Sequence, residues 1–136
     1  MKIKRLRTGF RDSASSGHKA LGNLLRSSSL FKGNKIYQEY PVNKLNPAYK
    51  SGREKFDWVI LNLKVVIEVM GAQHYAPVTF GGRPSEAEAR FKKQVVRDSK
   101  KKLAAEEAGF TYVAITDTVA KKITDQELYS MLEKIN

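Results

Sequence analysis

Two acids interrupt the most apolar stretch of this chain. Residues 56–75, FDWVILNLKVVIEVMGAQHY, form two strand-like runs, 56–61 and 64–70, rich in Val, Ile, Phe and Trp. A hairpin centred on the bond between Asn62 and Leu63 sets Asp57 directly opposite Glu68. Asn-Leu is not a favoured two-residue turn, but a four-residue loop over 61–64 keeps the same centre and pairing. Opposed side chains in a sheet have Cβ atoms about 5 Å apart, and like charges there repel. Their commonest justification is a hard divalent cation held by oxygen ligands, which also activates water. Gln73 and His74 follow the second run in a loop that begins at Gly71. A histidine there suits proton transfer near neutral pH, and Gln73 suits orienting a water or a phosphate. Both also suit plain loop hydrogen bonding.

Alternation places Asp57 on one face with Val59 and Leu61, and Glu68 with Val66 and Met70. An ordinary ion pair with Arg53 or Lys55 is the alternative use of these acids. An ionised carboxylate among Val and Ile is costly to bury, and two at facing positions raise one another's pKa unless a cation compensates. Asp98 falls within about 20° of Phe91 on a helical wheel, beside the apolar stripe that Phe91 and Val95 define. It is either paired with Arg97 or Lys101 or a helper carboxylate facing the hairpin. His18 shares a helix face with Leu21 and Leu25 and is either a satisfied core histidine or an active-site one.

The 136 residues suit one domain. With 25 Lys+Arg against 14 Asp+Glu, the formal net charge is +11, which favours polyanionic partners. No cysteine is present, so disulfides and thiolate metal sites are excluded, while oxygen-ligated Mg²⁺ or Mn²⁺ remains open. No segment reaches the ~20 apolar residues of a membrane span, and the basic N-terminus lacks a signal-peptide core. A cytoplasmic setting, in a bacterial or phage-infected cell, is the expectation, without membrane association. Residues 1–35 carry nine Lys/Arg and one acid, and residues 90–102 carry seven and one. Lys4, Arg5, Arg7, Arg11 and Lys19 in the first cluster, and Lys93, Arg97, Lys100 and Lys101 in the second, are candidate phosphate contacts. Arg53 and Arg83, before and after the hairpin, join them.

Residues 1–12 read as a basic arm and 13–136 as the domain. Small hydroxyl residues at 13–16 precede a helix over about 17–27. A strand is expected over 35–42, a loop over 43–55, then the hairpin. Residues 71–84 form a Gly- and Pro-rich loop, a candidate lid. Ser85 and Glu88 form a capping box opening a helix to about 108, which Gly109 stops. A strand follows over 110–116, and Thr124 and Glu127 cap a last helix. The order α-β-β-β-α-β-α implies an α/β domain: an antiparallel meander, then a right-handed crossover to a parallel fourth strand. The expectation is a mixed four-stranded sheet flanked by helices.

These residues resemble the PD-(D/E)xK nuclease superfamily, whose restriction-endonuclease-like core is α-β-β-β-α-β, with a metal-binding Asp and Glu on the second and third strands. The chain is most similar to the branch of very-short-patch-repair (Vsr-type) and phage homing endonuclease domains. The matches are Asp57, IEVMGAQH over 67–74, and Asp98-Ser99-Lys100 with Leu103 and Gly109. They extend over roughly residues 17–116. The resemblance implies a Mg²⁺-dependent DNA endonuclease, monomeric or homodimeric, of the kind that suits a phage or mobile element. Asp57, Glu68 and the Val69 carbonyl would bind metal, His74 would be a catalytic histidine, and Asp98 a helper. Met70 stands where the superfamily has its lysine and cannot take that role. Gln73, His74 or a lysine from elsewhere would replace it. The first helix lacks the acid that many relatives have, with His18 near its place, which leaves one metal or two open. A structure-selective resolvase of branched DNA and a non-catalytic nucleic-acid-binding module are the alternative functions.

Overall fold

The computed structural model describes residues 4–5, 15–71 and 84–135, and their elements follow the expected order with additions. The strands are β1 (Lys4–Arg5), β2 (Ile36–Pro41), β3 (Lys55–Ile60), β4 (Val65–Met70) and β5 (Thr111–Thr116). The helices are α1 (Ser16–Ser27), α2 (Val42–Leu45), α3 (Pro84–Glu107), α4 (Asp117–Lys122) and α5 (Asp125–Ile135). The chain is a single α/β domain. Its mixed four-stranded sheet, β2 to β5, is extended to five strands by β1, so two residues of the expected arm lie on the sheet edge. Strands β1 to β4 pair antiparallel in chain order, and β5 lies parallel to β4 after the α3 crossover.

The hairpin register is the one centred between Asn62 and Leu63: Trp58 pairs with Ile67, Val59 with Val66 and Ile60 with Val65. Residues 61–64 form the turn, with Lys64 at φ 53° and its N–H on the Leu61 carbonyl. Strand β4 is apolar apart from Glu68 and largely buried, as a strand covered by helices on each face must be. One core packs Leu21, Leu25, Trp58, Ile60, Ile67, Val113 and Leu132 between the sheet, α1 and α5. The other packs Tyr40, Val42, Phe56, Val59, Val66, Ala104 and Ala105 under α2 and α3. Each fully buried large side chain contributes about 1.5–3 kcal/mol.

The helix ends have clear causes. Thr124 and Glu127 exchange hydrogen bonds, each side chain accepting the other's N–H, as the capping-box reading expects. The Phe110 N–H reaches the Ala105 carbonyl and the Gly109 N–H that of Glu106, with Gly109 at φ +85°, a Schellman stop for α3. At the other end of α3 the expectation is corrected. The helix already begins at Pro84, so Ser85 lies inside it rather than capping it. Two short helices, α2 and α4, also lie where a loop and a strand exit were expected. One turn of helix is too short to show periodicity.

Helix α1 is docked through its first turn. The Gly17 N–H donates to Asp117 Oδ1 at 2.9 Å, and Lys121 Nζ lies 3.2 Å from Oδ2. A Cβ at Gly17 would come within 2.6 Å of the Asp117 carbonyl oxygen. The Ser15 hydroxyl, then Lys121 and the Gly17 N–H, hold the Asp117 carboxyl below its ordinary 3.8. The clamp is therefore complete above that value and is lost as pH falls through the depressed one. Gly17→Ala forces α1 off α4 and is expected to cost about 1–3 kcal/mol in urea denaturation.

Candidate functional site

Side-chain alternation fails at one level of the sheet, and that failure builds the site. Phe56 and Val59 share the α3-side core, while Trp58 lies in the α1-side core. In β2, Tyr37 and Tyr40 likewise both pack on the α3 side, with Glu39 between them at φ 51°. A left-handed non-glycine residue re-aims the chain at this point. The ladder pairs Gln38↔Trp58 and Tyr40↔Phe56 flank it on β2–β3, and the β3–β4 ladder ends at Trp58↔Ile67.

Asp57 therefore does not follow Val59, which corrects the alternation reading. Its Oδ2 accepts the Val69 N–H at 2.8 Å, taking the place of a ladder carbonyl. Its Oδ1 lies 3.7 Å from Nδ1 of His18 at the start of α1. His18 is buried, and its ring lies 4.0 Å from that of Trp58 at centroids. The alternatives for His18 merge: it is a core histidine and it touches the candidate site. The Trp58 indole N–H beside it is buried and has no acceptor among the described residues.

Glu68 keeps the face expected from alternation, with Val66, and that face turns towards α3. At 4 % exposure it is one of the most buried charged groups of the described residues. Burial raises its pKa above the ordinary 4.5, Lys101 opposes that rise, and the Asp57 charge adds to it. The two carboxylates thus feel one another, and both line one cleft of about 610 Å³. Val69, His18, Arg53, Gln94, Arg97 and Lys101 also line it.

The partner of Glu68 comes from the long helix. Lys101 Nζ lies 2.7 Å from Glu68 Oε1 with only 8 % of the residue exposed, and Tyr112 on β5 donates its hydroxyl to the same oxygen at 3.0 Å. Burial, then the Glu68 charge, pushes the Tyr112 phenol far up, so it stays a protonated donor. The sequence reading placed Lys101 among the outer phosphate contacts and did not single out Tyr112. The overlooked signal lies in α3, where Gln94, Asp98 and Lys101 recur at helical spacing. That row turns inward, while Val95, Val96 and Leu103 are exposed, so the stripe through Val95 is corrected. Asp98 is half-buried and accepts from Gln94 Nε2 at 2.8 Å. Its charge reaches Tyr112, but it does not line the cleft.

The remaining candidates fall into groups. Arg53 and Arg97 flank the cleft, with Arg97 Nε 3.8 Å from Glu54. Lys93 and Lys100 line a separate groove of about 800 Å³ between the 46–54 segment and the outer side of α3. Lys19 is half-buried on α1. Lys4 and Arg5 are placed by their backbone in β1. Arg7, Arg11, Gln73, His74 and Arg83, with the expected lid, lie outside the described residues.

Two carboxylates on neighbouring strands fit a hard divalent ion that completes its shell with water or phosphate oxygens. Among the described residues no group of three or more His, Cys, Asp or Glu gathers for a metal. Nor is any described helix long and apolar enough to cross a membrane.

Glu68→Gln and Lys101→Met each strand a buried partner and are expected to cost about 3 kcal/mol in chelator-treated protein. The double variant should recover most of that loss, as a denaturation double-mutant cycle would show. Additive losses would mean the two groups are not energetically paired.

No protein-family model matches the chain, and no curated protein matches it.

Proposed function

We propose that this protein is a metal-dependent DNA endonuclease that hydrolyses phosphodiester bonds at the cleft between β3, β4 and α3. The observation that carries the reading is the meeting of Asp57, Glu68 and Lys101 in one cleft. It agrees with the resemblance to the PD-(D/E)xK nucleases, with one displacement. The lysine that Met70 cannot provide is supplied from α3 by Lys101. A Mg²⁺ or Mn²⁺ ion held by Asp57 and Glu68, with the Val69 carbonyl as a further ligand, would polarise the phosphate and acidify an attacking water.

The chain's own groups have distinct parts. Hydrogen bonds from the Val69 N–H to Asp57 and from Tyr112 to Glu68 fix the two carboxylates before substrate arrives. His18 stands against Asp57 and orients it. The Lys101 ammonium supplies positive charge for the phosphorane-like transition state. Arg53 and Arg97 at the cleft, and Lys93 and Lys100 on the outer side of α3, grip flanking phosphates, which positions DNA without specifying its sequence. His74 is assigned the proton transfer that a neutral-pH hydrolysis needs.

The test is nicking of supercoiled plasmid with Mg²⁺ or Mn²⁺. Asp57→Ala, Glu68→Ala and Lys101→Met should each lower the rate on the order of 100-fold while DNA affinity changes little. Wild type and variants that nick equally little, on linear, supercoiled and branched DNA alike, would leave a binding module instead of an enzyme. Cleavage confined to four-way junctions by a protein of dimer mass would make it a resolvase.

His74→Ala should reduce kcat far more than DNA affinity. Equal losses in both would show that His74 contacts substrate without transferring a proton.

A further inference from the structure

Glu68 and Lys101 form an unusual pair for a catalytic cleft. Among the described residues both bonds to the carboxylate fall on one oxygen, Oε1: the Lys101 ammonium at 2.7 Å and the Tyr112 hydroxyl at 3.0 Å. The lysine is carried inward across the Phe56 ring, its Nζ 5.7 Å from the ring centroid, and is left 8 % exposed. Lysine is rarely buried to that degree unless paired, and its four-carbon stem can carry the charge back to solvent without moving the helix. Tyr112 does not share this freedom, because it is anchored in β5 next to β4.

A divalent ion gripping Glu68 and Asp57 would stand within a few ångströms of that ammonium. Like charges so close in a poorly hydrated cleft repel strongly, whereas the neutral Tyr112 hydroxyl can remain on the carboxylate. The ammonium and the metal are therefore rivals for Glu68. Arg53 and Arg97, both exposed, line the same cleft and offer positive charge to an approaching phosphodiester.

We propose that Lys101 is a displaceable internal cation, which neutralises Glu68 in the metal-free protein and yields to a divalent ion, turning into the cleft to meet the scissile phosphate. This rests on the metal-dependent reading above. It makes Lys101 act in opposite directions on two measurable quantities: it weakens metal binding and promotes cleavage. Tyr112 is the positioning residue that keeps the Glu68 carboxylate in place during the exchange.

The experiment is calorimetric titration of the full chain with Mn²⁺, without DNA, together with acetylation footprinting of its lysines. Lys101→Met should bind Mn²⁺ about fivefold or more tightly than wild type, as expected for removal of a competing ligand. Tyr112→Phe, which keeps the ammonium, should shift affinity far less. In the wild-type protein, which needs no variant to fold, Mn²⁺ should raise acetylation of Lys101 several-fold. The exposed Lys100 and Lys102 serve as internal references. Equal or weaker Mn²⁺ binding by Lys101→Met, with Lys101 protected at every Mn²⁺ concentration, would overturn the exchange and leave the nuclease reading standing. No Mn²⁺ binding by wild type or variant, with no plasmid nicking, would instead remove the metal-dependent reading and this proposal with it.

Discussion

A carboxylate buried in an interior strand dictates much of the architecture around it. Glu68 sits in β4, a strand otherwise apolar and covered on both faces. Burial alone drives such a group towards its neutral form, and the nearby Asp57 drives it further. The chain answers with a lysine from α3 and a tyrosine from β5 on the same oxygen. That answer fixes the rotation of α3, because Lys101 must face the sheet. It explains why Gln94 and Asp98 face inward with it while Val95, Val96 and Leu103 are left exposed. A buried ion pair is weak evidence of stability. Apolar residues would have filled this position at lower cost.

The second constraint is the interrupted alternation of β2 and β3. A regular pleat would send Asp57 to the same side as Val59. The left-handed backbone at Glu39 and the end of the β3–β4 ladder at Trp58 instead release Asp57 to bond the Val69 N–H. Where pairing of β3 with β4 ends, the Asp57 carboxylate satisfies the Val69 N–H of β4. Helix α1 completes the arrangement because its first turn is clamped to Asp117 through Gly17, which places His18 against both Trp58 and Asp57. The site is accordingly assembled from five elements, α1, β3, β4, α3 and β5.

Several features could be read before any coordinates. Strand and helix types followed from apolar periodicity, and the hairpin register followed from an even-length turn about Asn62 and Leu63. The Gly109 stop and the Thr124–Glu127 cap followed from local backbone chemistry. Asp57 and Glu68 stood out because acids rarely interrupt such strands. What escaped was side-chain contact between distant segments, although the parallel pairing of β4 with β5 was read correctly. Lys101 looked like one more cation in a basic run. The Ser85 cap and the Val95 stripe were plausible locally and gave way to the real start and rotation of α3.

The division has a physical reason. Local pattern governs the shape of each element, since backbone hydrogen bonds and side-chain period act over a few residues, and it also sets the abundance of positive charge. It carried the order of the elements and the register of β3 on β4, whereas the ladder ends at Trp58↔Ile67, before Asp57 and Glu68 would pair directly. Only the packed chain could choose among many lysines the one that enters the interior. That choice depends on the desolvation of Glu68 and on the distance from α3 to the sheet, quantities that exist only once the layers have closed.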